Sequence, residues 1–167
     1  SARTGNVRFL DAYGNLISET VPTNLNGQVA DKGVQFADYI PGVRLELREA
    51  LGGLRRFLNV PAPLDLPAGT VYVEFVDYLD VPADLRVLAE NTLKAGKEVH
   101  TGNSFTLVDQ YDNVAFSVPA PIAWDANGHN RPWMMYRLNM DAAGTLEVGT
   151  QVLECEAAVV RCSRRTD

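Results

Sequence analysis

The chain predicts a mainly β protein, an antiparallel β-sandwich or barrel built from hairpins, with one α-helix over residues 82–95. Three observations carry that reading. A short turn phrase is written three times, residues 43–60 alternate in polarity around a glycine pair, and from residue 103 onward apolar segments follow one another at tight turns with no helix between them. Strands joined this way pair antiparallel, and a sandwich or barrel is their natural closure.

The repeated phrase begins at Asp11, Asp109 and Asp141. An Asp side chain can accept a hydrogen bond from the backbone N–H two residues on, and a residue three places later closes the turn in the left-handed conformation. Gly14 and Gly144 suit that place, and Asp112 visits it at some cost. The first phrase follows Val7, Phe9 and Leu10, and the second follows Phe105, Leu107 and Val108, so each reads as a hairpin tip. Its copies are too short and too unevenly spaced to form a solenoid.

After the first hairpin, residues 23–27 read as a loop and the segment up to residue 42 is weakly patterned. Residues 43–60 predict a half-buried hairpin. A two-residue turn at Gly52-Gly53 sets Leu47 opposite Leu58, Leu45 opposite Val60 and Glu49 opposite Arg56. Leucine and valine then share one face, and Arg44, Glu46, Arg48 and Arg55 fall on the other, with Phe57 as the exception. A helix over 49–58 is the rival, but two central glycines cost it roughly 2 kcal/mol relative to alanines.

Residues 61–69 form a proline-punctuated connection. Residues 70–78 predict a strand with Val71, Val73 and Phe75 inward, and Tyr72 and Tyr78 on the second face. The helix over 82–95 rests on Asp80 as N-cap, Pro82 in the first turn, a stripe of Leu85, Leu88, Ala89, Thr92 and Leu93, and Gly96 at its end. Strands follow at 105–108, 114–118, 133–140, 146–148 and 152–160.

One domain of 167 residues buries roughly two-thirds of its unfolded surface without staples. The 46% hydrophobic and 22% charged fractions are those of an ordinary globular protein. No apolar run reaches the roughly 20 residues that span a bilayer, so no membrane partner is expected. Residues 1–6 lack the apolar stretch of a signal peptide. A net charge of −6 argues against nucleic acid as a partner, because such binding draws on phosphate neutralisation by Lys and Arg. Cys155 and Cys162 are placed on one strand, where seven extended residues cover roughly 23 Å, far beyond disulfide reach. Cys155 is expected to pack as a small hydrophobe, and Cys162 to face away from it near the basic tail.

Residues 123–133 gather Trp124, Asp125, His129, Arg131 and Trp133 in one loop. Such a loop can be a degenerate turn packed on a sheet edge, a protein contact through Trp and Arg anchors, or a sugar or metal site. The Asp phrases lack the alternating oxygen ligands of a calcium loop, and two Cys with two distant His do not make a zinc pattern. No nucleophile elbow, phosphate-cradling loop or dinucleotide fingerprint is present. His100, near Glu98, and His129 read as exposed loop histidines. No catalytic, cofactor or metal residue is therefore assigned, and the chain is expected not to be an enzyme. The interaction candidates are Tyr13, Tyr111, Trp124, Arg131, Trp133, Arg164 and Arg165.

The Asp-x-Tyr-Gly-Asn tip resembles those of bacterial immunoglobulin-like surface domains and of phage structural proteins. The resemblance spans a single tip and implies a β-sandwich. The expected function is a structural, self-associating β module working with protein partners and as a homo-oligomer. A virion component, either capsid decoration or tail protein, is its favoured form, with the virion as location. The alternatives are a carbohydrate- or ligand-binding sandwich using the Trp124 to Trp133 loop, and a small β-barrel enzyme using His129 and Asp125.

Overall fold

A computed structural model describes residues 2–31, 33–50, 53–59, 64–124, 130–131 and 134–153. In chain order the strands are β1 (Ala2–Leu10), β2 (Leu16–Thr20), β3 (Gln28–Ala30), β4 (Gly33–Ile40), β5 (Val43–Ala50) and β6 (Gly53–Asn59). Then come β7 (Tyr72–Asp80), β8 (Arg86–Ala89), β9 (Asn91–Thr92), β10 (Val99–Thr101) and β11 (Phe105–Val108). The last are β12 (Val114–Val118), β13 (Ala123–Trp124), β14 (Asn130–Arg131), β15 (Met134–Met140) and β16 (Thr145–Leu153). Every pairing is antiparallel.

A six-stranded central sheet runs β10-β15-β16-β7-β1-β2, and two four-stranded sheets run β12-β11-β8-β9 and β3-β4-β5-β6. Directly paired residues share a face. The register therefore puts Val7, Phe9, Val73, Phe75, Leu146, Val148, Tyr136 and Leu138 on one face of the central sheet. Both smaller sheets cover that face. Val87, Phe105 and Leu107 pack on Leu138, Leu146 and Val148, with Phe105 edge-on to Tyr136 at 5.4 Å between ring centres. Tyr39, Ile40, Val43 and Leu45 pack on Val7, Phe9, Val73 and Phe75. Arg56 of β6 reaches Asp77 of β7 on this same face and forms an ion pair where the two clusters meet. The sheets stay open, each ending in two edge strands, so no barrel closes among the described residues.

The three turn phrases fold alike. Asp11 Oδ1 accepts the N–H groups of Tyr13 and Asn15 at 2.8 and 2.9 Å, Asp109 Oδ1 those of Tyr111 and Asn113 at 2.8 and 2.9 Å, and Asp141 Oδ1 those of Ala143 and Thr145, both at 2.9 Å. Gly14, Asp112 and Gly144 take φ of 83°, 64° and 89°. Backbone hydrogen bonds to the Asp11 and Asp109 carboxylates, the Asn15 and Asn113 amides first, hold both carboxyls below the usual range. The turns thus engage their own acidic oxygens.

No helix forms over 82–95. That stretch holds β8 and β9, and Glu90 reverses the chain between them in the left-handed conformation at φ 66°. The physical reason lies in the period. Val87, off the predicted stripe, is wholly buried, and burial alternates along Arg86–Ala89 as strand pairing with β11 requires. Pairing and core contact override helix propensity. Glu90 also accepts hydrogen bonds from Asn103 Nδ2 at 3.0 Å and Thr101 Oγ1 at 3.4 Å.

The 43–60 hairpin is present with a register two residues from the predicted one. Ala50 pairs Gly53, Leu47 pairs Arg56 and Leu45 pairs Leu58. A slip of two preserves both faces, so Leu45, Leu47 and Leu58 still face the core. The weakly patterned segment before it forms β3 and β4. The strands predicted at 146–148 and 152–160 are joined as β16 up to Leu153, where the description of that strand ends. Cys155 and Cys162 lie outside the described residues. No described helix is long and apolar enough to cross a membrane.

Candidate functional site

Two features of the fold have chemical content. The first is a buried charge network on the face of the central sheet opposite the two covering sheets. Alternation puts Glu74 there, between the inward Val73 and Phe75, and the register aligns Arg8, Glu74 and Gln151 in one row across β1, β7 and β16. Arg137 stands on the next row, beyond Gly149. The Glu74 carboxylate is fully buried and accepts four N–H bonds: Arg137 Nε at 2.8 Å, Arg137 Nη2 at 2.7 Å, Gln151 Nε2 at 2.7 Å and Arg8 Nη1 at 3.1 Å. Arg137 also bonds Glu98 at 3.2 Å and pairs with Glu147, and His100 Nε2 lies 3.0 Å from Glu98.

Gly149 makes this packing possible. A Cβ there would fall 2.5 Å from Glu74 Cδ and 2.7 Å from its Oε2. Burial alone pushes the Glu74 carboxyl up, but the hydrogen bonds from Arg137 and Gln151 and the charges of Arg137 and Arg8 outweigh it and hold the group below the usual glutamate range. Glu98 is likewise pushed up by burial and pulled further down by His100 and Arg137. Arg137 loses hydration on burial, yet its carboxylate partners raise it above the ordinary arginine value. A carboxylate held ionised at neutral pH, with both oxygens engaged, is a clamp between strands. It has neither a proton to give nor a lone pair turned to a substrate.

The second feature is the set of open sheet edges. An edge strand offers unpaired N–H and C=O groups, and proteins commonly blunt it with charge, proline or brevity. Edge β10 is three residues long and carries His100, β9 is two residues long and polar, and β6 carries Arg55 and Arg56. The other three edges expose apolar side chains: Leu16 and Ile17 on β2, Val29 on β3, and Val114 and Phe116 on β12. Of these, β12 spans five residues, Val114-Ala115-Phe116-Ser117-Val118, with no charge, and four of the five are exposed.

Tyr13 and Tyr111 stand at the tips of the β1–β2 and β11–β12 hairpins, 90% and 75% exposed, on different sheets. Trp124 and Arg131 are brought together as backbone neighbours, since β13 and β14 pair Ala123 with Arg131 and Trp124 with Asn130. Trp133, Arg164 and Arg165, together with Asp125 and His129, lie outside the described residues. His100 is on a strand and not in a loop. Glu74, Arg137 and Gln151 carry no motif that marks them in the sequence as partners, whereas the uncharged character of β12 is legible in residues 114–118.

Comparison with known protein families, with curated proteins and with solved structures returns no match.

Proposed function

We propose that this chain is a structural β module that associates with itself and with protein partners through its sheet edges. The observation that carries the reading is β12, an uncharged edge strand whose Val114 and Phe116 are more than half exposed. Open edges of this kind are templates for strand addition. Tyr13 and Tyr111 at the hairpin tips support it, because tyrosine is enriched where proteins meet. A virion component, as capsid decoration or tail protein, is the specific assembly we favour, and antibody labelling of purified source particles tests that form. Sedimentation velocity across a concentration series tests the general one. Association that grows with concentration is expected, and a chain that remains monomeric throughout the series refutes it.

A further inference from the structure

We infer that the outer face of the β5–β6 hairpin, built around Arg44, Glu46 and Arg48, is a docking surface for an extended acidic segment of a partner protein. It is separate from the sheet edges proposed above, and its test does not depend on them.

The β5–β6 ladder is continuous from Arg44 to Ala50, so pairing fixes its two faces without interruption. Leu45, Leu47 and Leu58 take the inward face. The outer face receives Arg44, Glu46 and Arg48 from β5 and their ladder partners Asn59, Phe57 and Arg55 from β6, with Gln35 of β4 beside Glu46. Three arginines against one glutamate make this a cationic face on a chain of net charge −6.

The single carboxylate arranges the arginines without neutralising them. Glu46 is 5% exposed and lies between the two arginines of its own strand, with Arg44 Nε 3.0 Å from Oε1 and Arg48 Nε donating to Oε2 at 2.9 Å. The Arg48 guanidinium also lies over the Phe57 ring, 4.7 Å from its centre. Both arginine side chains remain about half exposed, and Arg44 keeps Nη1 and Nη2 without a partner among the described residues. Two held guanidiniums sharing one negative charge leave N–H groups for a second carboxylate, and charge-assisted hydrogen bonds are the stronger kind. An incoming carboxylate displaces water there and breaks no internal bond.

Spacing selects an extended segment. Arg44 and Arg48 are four residues apart on a strand, roughly 13 Å, and an extended chain running along β5 repeats its same-side residues with the same rise. Carboxylates four positions apart then meet both arginines. A hollow of about 250 Å³ beside Arg48, lined also by Asp31, Gly33, Gln35 and Glu46, has room for one side chain of the segment. Asp31 is exposed and repels a carboxylate, so the acidic residues are directed along β5 toward Arg44 and away from the β3–β4 turn. A nucleic acid fits less well, because its unbroken row of phosphates must also pass the acidic remainder of the chain.

The test is fluorescence anisotropy with a labelled peptide of alternating glutamate and serine, a lysine–serine peptide and oligothymidine as comparisons, and folding of each variant followed by circular dichroism. The glutamate peptide should bind, more weakly as salt rises, and Arg44→Gln and Arg48→Gln should each weaken it roughly two- to fivefold. Glu46→Gln, which releases both guanidiniums from their internal partner, should tighten binding by a similar factor. No binding of the glutamate peptide, tighter binding of the lysine peptide, or arginine and glutamate variants that bind like the wild type overturns the inference. Tighter binding of oligothymidine overturns it in favour of a nucleic-acid face. Should the variants fail to fold, the arginine Nε–H resonances of the wild type decide: shifts of Arg44 and Arg48 on addition of the glutamate peptide support the surface, and shifts confined to other arginines refute it.

Discussion

Substituting Gly149 by Ala tests the buried network with a reversal of sign. In an ordinary strand interior, Gly→Ala stabilises by roughly 0.5–1 kcal/mol because alanine loses less backbone freedom on folding. Here the new methyl would sit 2.5 Å from Glu74 Cδ, with no flexible neighbour to yield, since four N–H bonds fix that carboxylate. Overpacking costs about 1–3 kcal/mol, and displacing the carboxylate from one charged donor costs about 1.5–3 kcal/mol. Set against the backbone gain, the net expectation is a loss of about 3 kcal/mol, a fall in Tm of roughly 6–12 °C for a chain of this length. Urea and thermal unfolding followed by circular dichroism measure it. The control is the same change in a Glu74→Ala background, where the obstacle is gone and Gly149→Ala should be neutral or stabilising. A Gly149→Ala protein as stable as the wild type, or additivity of the two changes, refutes the packing described.

Three further outcomes are expected. Glu74→Gln leaves Arg137 buried with one partner fewer and should cost about 3 kcal/mol by denaturant titration, since removing one member of a buried pair strands the other. Because Glu74 and Glu98 have folded-state pKa values below their unfolded ones, their stabilisation is present above the unfolded value near about 4.3 and is lost as pH falls through the folded values. Acid titration of stability should therefore steepen below that point, and Glu74→Gln should flatten the slope. Gly14→Ala places a side chain at φ 83° with no atom within 4 Å of the new Cβ, so its cost should be conformational alone, about 1 kcal/mol by thermal unfolding.

The turns were legible because their physics is local. An Asp and the N–H groups two and four residues later lie within one tip, so Asp11, Asp109 and Asp141 could be read without knowing any strand order. The 43–60 hairpin was legible in its faces and not in its register, because faces depend only on parity. The helix over 82–95 failed because Leu85, Leu88 and Leu93 fit a helical stripe while the deciding residue, Val87, is buried by contact with a strand that follows much later in sequence. The Glu74–Arg137 pair was hidden for the same reason: the two are 63 residues apart, and only the order β15-β16-β7 brings them across Gly149. Glu74 alone reads as an outward strand residue, and Gly149 alone reads as a strand break.

The network and the edges bear on one question, which is where a partner can be received. One face of the central sheet is taken by the two smaller sheets. On the other, the Glu74 oxygens are saturated by Arg8, Arg137 and Gln151, and Glu98 and Glu147 draw on the remaining Arg137 donors. A partner settling on that cluster would have to break charged hydrogen bonds before making its own, and each costs more to leave unmade than a neutral one. At β12 no described strand has to be displaced, since among the described residues it pairs with β11 alone. In the proposed association its outward N–H and C=O groups would exchange water for another strand, and Phe116 would exchange water for carbon. The energetic asymmetry between a saturated face and an open, uncharged edge is the reason the proposed association is assigned to the edge.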